Sequence, residues 1–479
     1  MTLHSPLDEP TLRLSLREFD AQAERRLMLT LALHPSLRRV GERAPVVAGA
    51  GGFPVSRRTP EFRTPEGRVV GPLADPYISR TPIVLHSAGD GGVIVERGPG
   101  EADVVIDGVR LVRRHRIEAV AIARGVVLEL AQRVVLVLHD HRDLDELPPK
   151  FELVGESAAI QRVRREIGFV AGLDIPVLLR GESGTGKELV ARAIHAASPR
   201  ASRPYVSINM AAFNASTAIA ELFGHRRGAF TGALHSREGF FREADGGTLF
   251  LDEVAEAPAE IQAMLLRVLE SGEIQPLGGG PAQRVDVRIV AATDADLERS
   301  IEHGSFRAAL LHRLAGYELR VPPLRERPDD IPRLLVHFLE LELRRAGRPE
   351  AFERLAHDAS RRLAVPQIAA LLRDAWHGNV RQLRNVVRRG VLVCTSRTIR
   401  ASDLDLNVNK AADAPSSEPP AEAKPPSIRS GASGRPMSSS ASPRAGGRHS
   451  SGARSARPGR AGRPPSCCAS IRTSRCHVD

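Results

Sequence analysis

The strongest constraint on the fold is the run Gly181, Glu182, Ser183, Gly184, Thr185, Gly186, Lys187 and Glu188, set between the apolar stretch Pro176–Arg180 and the helix-like stretch Leu189–Ala197. A strand, a glycine loop and a helix in that order make a phosphate-binding loop. Glycines let backbone N–H groups face an anion at a helix N-terminus, and a lysine reaches the β and γ oxygens. Such a loop belongs to a doubly wound α/β domain, and the sequence from Phe151 has that alternation. Candidate strands are Pro176–Arg180, Tyr205–Asn209, Thr248–Asp252 and Val287–Thr293. Glu260–Ser271 reads as a helix, because Ile261, Met264, Leu265, Val268 and Leu269 recur at helical spacing. Glu188 stands where Ser or Thr usually offers a hydroxyl to magnesium.

A second motif follows about 65 residues later. Gly246–Leu251 is an apolar run ending in Asp252 and Glu253. This order puts both carboxylates at the C-terminal edge of a strand, beside the phosphate loop. Asp252 is suited to hold Mg2+ through its water shell and Glu253 to polarise an attacking water. ATP and Mg2+ are the expected ligands, and ATP hydrolysis the expected chemistry.

Between the two motifs lies Glu221-Leu-Phe-Gly-His225-Arg-Arg, followed by Gly228, Ala229, Phe230, Thr231, Gly232 and Ala233. Here the chain resembles the bacterial enhancer-binding activators of sigma-54 RNA polymerase, AAA+ ATPases with a GAFTGA loop of that spelling. The resemblance spans about 240 residues, half the chain. It implies a homo-oligomeric ring, a hexamer, whose loops at Gly228–Ala233 contact sigma-54 through Phe230 and Thr231. It also removes the anomaly at Glu188, since Lys-Glu is usual there. Asn209 takes the role of the switch asparagine that orients Glu253, and Thr293 that of a sensor beside the γ-phosphate. Arg307 and Arg313 are implied as the arginines presented to a neighbour's ATP, and Arg381 as the lid's contact to nucleotide. Val321–Ile331 marks the passage to a helical lid that continues to about Val393. Three positions depart from the family pattern: Asp294 replaces an asparagine after Thr293, Arg226 stands where an acid is common, and His377 replaces a proline after Trp376. The competing readings are a general AAA+ protein remodeller and an ATP-binding scaffold with impaired hydrolysis, the latter kept open by Asp294.

Residues 20–138 read as an all-β sandwich. Leu27, Leu29, Leu31 and Leu33 alternate, and β-branched runs recur at Ile83–Leu85, Val93–Val95, Val104–Ile106 and Val126–Val137. This segment resembles a forkhead-associated domain, which implies a phosphothreonine protein as partner, met by Arg57, Ser79 and Arg80. The histidine usual after Ser-Arg is replaced by Thr81 and Pro82, and Asp107 stands where asparagine is usual. A structural β-domain docked on the ATPase is the alternative.

The whole organisation is thus multidomain: sandwich 20–138, linker 139–150, α/β ATPase subdomain 151–325, helical lid 326–400 and tail 407–479. The formal net charge is +11, and the tail carries 12 Lys/Arg against 4 Asp/Glu. Most of the excess is therefore local, and the tail's Ser, Pro, Gly and Arg content predicts disorder. It contains no recognisable helix-turn-helix and looks like coding sequence of high G+C content in a shifted frame. DNA binding is implied by the resemblance alone. Asp8 and Glu9 and the lack of an apolar leader argue against a signal peptide, and no apolar run reaches the ~20 residues of a membrane helix. With four cysteines and no zinc-ligand spacing, a reducing cytoplasm is expected.

Overall fold

The computed structural model describes residues 25–394 apart from 48, 50, 100–102, 143–147, 214, 230–234 and 360–362. The tail 407–479 lies outside the described residues.

The N-terminal region is largely β-strand: β1 (Arg25–Leu33), β2 (Arg43–Val46), β3 (Phe53–Val55), β4 (Phe62–Arg63), β5 (Val69–Gly71), β6 (Ile83–Ser87), β7 (Val93–Arg97), β8 (Val104–Ile106), β9 (Val109–Arg110), β10 (Arg114–Ile117), β11 (Val126–Leu130) and β12 (Val134–Arg142), with one short helix, α1 (Ala119–Arg124). They form an eight-stranded sheet in the order β5-β4-β2-β1-β12-β11-β8-β9 and a four-stranded sheet β10-β7-β6-β3. The run Val126–Val137 is two strands rather than one. Ala131 and Gln132 adopt left-handed backbone and reverse the chain, so β11 and β12 pair antiparallel. The expected linker also begins late, because β12 continues to Arg142, opposite Arg25.

β12 explains why its sequence is apolar at every position from Val134 to Leu138. Side chains on a strand alternate faces, and an unbroken apolar run needs both faces covered. Val134, Leu136 and Leu138 enter the core between the two sheets with Leu29, Leu31 and Leu128. Val135 and Val137 point the other way, into a second core made with the helices of the lid. Those helices are α9 (Ile331–Arg345), α10 (Pro349–His357), α11 (Val365–Arg373) and α12 (Asn379–Val393).

The central region has a five-stranded parallel sheet, β13 (Val177–Arg180), β14 (Tyr205–Asn209), β15 (Thr248–Asp252), β18 (Arg288–Thr293) and β19 (Tyr317–Arg320), in the order β14-β15-β18-β13-β19. A small hairpin, β16 (Glu273–Ile274) with β17 (Gln283–Arg284), stands apart from it. Around the sheet run α2 (Ala158–Ala171), α3 (Lys187–Ala196), α4 (Ala215–Phe223), α5 (Phe240–Glu243), α6 (Ala259–Ser271), α7 (Leu297–Glu302) and α8 (Ala308–Leu314). One sheet face packs on α4, α6 and α8 through Phe223, Ile261, Leu265 and Leu310, and the other on α2 and α3 through Ile160, Ile167 and Ile194. β14, β15 and α6 fall within a residue of their sequence-derived limits. These segments have strong periodicity and clear end signals, such as left-handed Gly272 closing α6. No described helix is long and apolar enough to cross a membrane.

Candidate nucleotide site

The loop Gly181–Gly186 joins β13, an interior strand, to α3, and all three glycines have local work. Gly186 is left-handed and caps α3, whose first residue is Lys187. Gly184 is also left-handed, and a Cβ there would lie 2.4 Å from the Gly378 carbonyl oxygen, so only glycine fits beneath the lid. Gly181 donates its N–H to the Thr293 carbonyl (3.2 Å), tying the loop to β18. Lys187 is buried, and its Nζ donates to the Gly181 carbonyl (2.8 Å), a bond within the loop that holds the ammonium at the loop's mouth.

Asp252 and Glu253 stand at the C-terminal end of β15, one strand removed from β13 across β18. Glu253 has left-handed backbone (φ 52°), and its Oε1 lies 3.7 Å from Lys187 Nζ. Burial raises the carboxyl pKa of Glu253, and the neighbouring Asp294 and Asp252 charges raise it further against the pull of Lys187. Asp252 is also raised, first by burial. Its Oδ1 accepts from the Glu253 N–H (3.1 Å) and its Oδ2 lies 3.5 Å from Asn209 Nδ2. Asn209 therefore reaches Asp252 here, and its Oδ1 accepts from the Ala211 N–H (2.9 Å); this pairing differs from the expected Asn209–Glu253 contact. The reason is register, since β14 and β15 pair Asn209 directly with Asp252. Thr293 is buried and its Oγ1 accepts from the Ala295 N–H (3.1 Å), while Asp294 is exposed.

The lid closes over the loop from the α12 side. Arg381 donates from its backbone N–H to the Gly184 carbonyl (3.2 Å) and from its guanidinium to Ser183 Oγ (3.0 Å). Asn379, wholly buried, donates through Nδ2 to the Ser183 carbonyl (3.0 Å) and Glu182 Oε2 (3.1 Å), and its Oδ1 accepts from the Leu324 N–H (2.7 Å). Arg325 forks onto Glu182, and that hydrogen bond holds the Glu182 carboxyl at about 2. Arg327 donates to the Thr185 carbonyl (3.2 Å). Asn379, Arg325 and Arg327 were not singled out by sequence reasoning. The dense charge in Leu324–Ile331 was the available signal, since so many ions beside a proline turn must find partners.

Arg307 and Arg313 lie at the start and within α8, both exposed. Arg307 donates its N–H to Gln262 Oε1 of α6 (2.9 Å), and Arg313 Nε lies 3.6 Å from Glu270. Gly228 and Ala229 follow a pinched base. His225 and Arg237 exchange backbone hydrogen bonds (3.0 and 2.9 Å), which sets the chain before and after the Gly228–Ala233 string side by side. Phe230, Thr231, Gly232 and Ala233 lie outside the described residues. In the sandwich, the Arg57 N–H donates to the Ser79 carbonyl (3.1 Å) and the Arg57 guanidinium to the Pro76 carbonyl (2.9 Å), while Arg80 is exposed. Arg57, Ser79 and Arg80 therefore share one rim.

Residues 153–320 match the model of the Sigma-54 interaction domain, and residues 325–421 that of an AAA+ ATPase lid domain. The DNA-binding transcriptional regulator NtrC of Salmonella typhimurium is 46% identical over 281 residues, covering 58% of this chain and 58% of the relative. The nitric oxide reductase transcription regulator NorR1 of Cupriavidus necator is 48% identical over 253 residues, covering 53% of this chain and 47% of the relative. Among solved structures, NtrX from Brucella abortus in complex with ATP is 36% identical with a TM-score of 0.48, covering 57% of each chain. The chain spans about half the length of the curated relatives it matches. The central and lid regions are an AAA+ P-loop domain with a helical lid.

Proposed function

We propose that this chain is a sigma-54-dependent transcriptional regulator, a ring-forming ATPase that uses ATP hydrolysis to remodel the closed complex of sigma-54 RNA polymerase. The observation that carries the reading is the string Gly228–Ala233, set between the phosphate loop and the acidic pair inside the segment matched by the Sigma-54 interaction domain. The backbone pairing of His225 with Arg237 brings the chain on the two sides of that string together.

The residues divide the work. Backbone N–H groups of Gly184–Lys187 and the Lys187 ammonium are suited to bind the triphosphate. Glu253, pushed toward basicity by burial and by Asp294, is suited to take the proton of the attacking water. Asp252 offers a single carboxylate, and no cluster of three metal-ligating side chains occurs among the described residues. That donor set fits Mg2+, which needs few protein ligands when phosphate oxygens complete its shell. Bound there, Mg2+ would neutralise charge on the β and γ oxygens. Arg381 already touches the loop through Ser183, which supports its role as the lid's reporter on nucleotide. Arg307 and Arg313 have exposed guanidiniums, free of any demand from their own phosphate loop, as groups serving a neighbouring subunit must be.

The test separates motor from task. Phe230→Ala and Thr231→Ala should hydrolyse ATP at near wild-type rate yet fail to form open complexes with sigma-54 polymerase. Truncating an aromatic at a central contact costs on the order of 2–4 kcal/mol, enough to abolish a marginal engagement. Open complexes formed normally by Phe230→Ala would refute the contact, and a wild type that binds sigma-54 in no nucleotide state would refute the function.

The sandwich fits a forkhead-associated domain, supported by the shared rim of Arg57, Ser79 and Arg80. Asp107 is engaged elsewhere: its Oδ1 accepts from the Val127 N–H (2.9 Å) and lies 3.8 Å from Arg373 of the lid. With Pro82 and Asp107 in place, a phosphothreonine peptide should bind weakly. Tight binding that is lost in Arg80→Ala would overturn this.

A further inference from the structure

The eight-stranded sheet and the lid share a single apolar core. Ala32, Leu33, Leu37, Val127, Val135 and Val137 of the sandwich are buried with Leu335, Phe338, Leu355, Ile368, Leu372 and Trp376 of the lid. On the same sheet face, β11 and β12 carry polar side chains at the next alternate positions, Glu129, His139 and His141, all buried. Burial pushes both imidazoles down and so keeps them neutral, whereas an ion such as Glu129 is costly to bury unless it is paired, and polar groups need partners. They are met by the lid: Arg373 donates to Glu129 Oε1 (2.7 Å), and Asp329 lies 3.6 Å from Arg43 and 3.8 Å from His139.

The four residues Arg327–Asp330 connect this interface to the nucleotide site, because successive side chains face different neighbours. Arg327 holds the Thr185 carbonyl of the phosphate loop. Pro328 presses on Gly125 of the sandwich, where the backbone is left-handed and a Cβ would sit 2.7 Å from Pro328 Cγ. Asp329 faces Arg43 and His139, as above. Asp330 accepts from the N–H groups of Glu156 (2.6 Å) and Ser157 (2.8 Å) at the start of the α/β region. A shift of the sandwich relative to the lid would therefore pull on a turn whose preceding residue grips the phosphate loop.

We propose that the N-terminal sandwich is a positioning element of the nucleotide site. Its docked sheet face holds the lid in the pose in which Arg327, Asn379 and Arg381 clamp the phosphate loop, and the Arg373–Glu129 pair is the electrostatic latch of that docking. The inference rests on the reading of Gly181–Glu188 as an ATP site. Whatever binds the far rim of the sandwich acquires, through this body, a route to nucleotide affinity.

The experiment uses the full chain, with mant-ATP and magnesium as probe and hydrogen exchange of β11 and α11 amides as the measure of docking. Arg373→Glu places two acids against each other and should speed exchange in both elements. It should also weaken mant-ATP binding by about tenfold, within the usual range of coupling between sites. The swap Arg373→Glu with Glu129→Arg restores opposite charges and should recover both exchange protection and affinity. Faster exchange with unchanged affinity would overturn the proposal, as would tighter binding, which is the behaviour of an autoinhibitory domain. Unchanged exchange in Arg373→Glu would overturn the latch. Lys187→Ala is the separate control: wild-type binding that survives it defeats the nucleotide reading, whereas the other failures defeat only the coupling.

Discussion

Asp330 is the most demanding side chain in the junction, and replacing it separates hydrogen bonding from charge. The carboxylate is fully buried. Its Oδ1 accepts the N–H groups of Glu156 and Ser157, and its Oδ2 accepts the hydroxyl of Ser157 (2.6 Å). Asp330→Ala strands two amides and a hydroxyl, and leaves Arg327 buried with one acid fewer beside it. Unsatisfied buried groups cost about 1–3 kcal/mol each. The three losses are not additive, so a total of about 3–5 kcal/mol is expected. Asp330→Asn behaves differently. An amide oxygen in the Oδ1 position keeps both N–H bonds, and the amide nitrogen can donate to Ser157 Oγ, whose hydroxyl rotates to suit. The lost charge was already disfavoured by burial, so the cost should be about 1 kcal/mol or less. Trp376 provides the assay. It is the one tryptophan in the chain, fully buried in the lid with Nε1 donating to the Leu371 carbonyl (2.8 Å), so its fluorescence in urea reports lid unfolding. An Ala variant within about 1 kcal/mol of wild type, or an Asn variant as damaged as Ala, would refute the hydrogen-bond account.

Three further outcomes are expected. Burial, then Asp329 beside it, pushes the Asp330 carboxyl from its ordinary 3.8 up to about 6, so its protonation favours the folded state; that contribution is full below 3.8 and lost as pH rises through about 6. The stability of wild type relative to Asp330→Asn should therefore be about 1–2 kcal/mol greater at pH 5 than at pH 7.5, read from paired urea titrations, and a flat difference would contradict the raised carboxyl. Lys187→Ala should weaken ATP binding in calorimetry, while Glu253→Ala should bind ATP and lose turnover; equal turnover in Glu253→Ala and wild type would remove its assignment as base. Wild-type ATPase per subunit should rise with protein concentration, and Arg307→Ala should lose about 10³-fold in turnover while still assembling, in line with arginines supplied in trans. Normal hydrolysis by an assembled Arg307→Ala ring would show that the arginine serves no neighbour.

The sequence alone determined the phosphate loop, its strand and helix, and the acidic edge at Asp252 and Glu253. These are local: glycine spacing, an apolar run and a following amphipathic stretch act within a few residues of each other. The same holds for α6, whose apolar stripe and closing Gly272 suffice to define it. The split of Val126–Val137 into two strands was hidden, because Ala131 and Gln132 are not turn residues by type and are forced left-handed by the pairing of β11 with β12. Only tertiary structure decided which face of β12 meets the lid, and that the bland run Val134–Leu138 serves two cores at once. It alone decided that Asn209 lies against Asp252, through strand register, and that Glu129 and Arg373, 244 positions apart, meet in one ion pair. Residues so distant leave no periodicity for a sequence to display. Their meeting is fixed by the packing of a sheet face on a helix bundle, and by the desolvation that makes buried Glu129 require a cation.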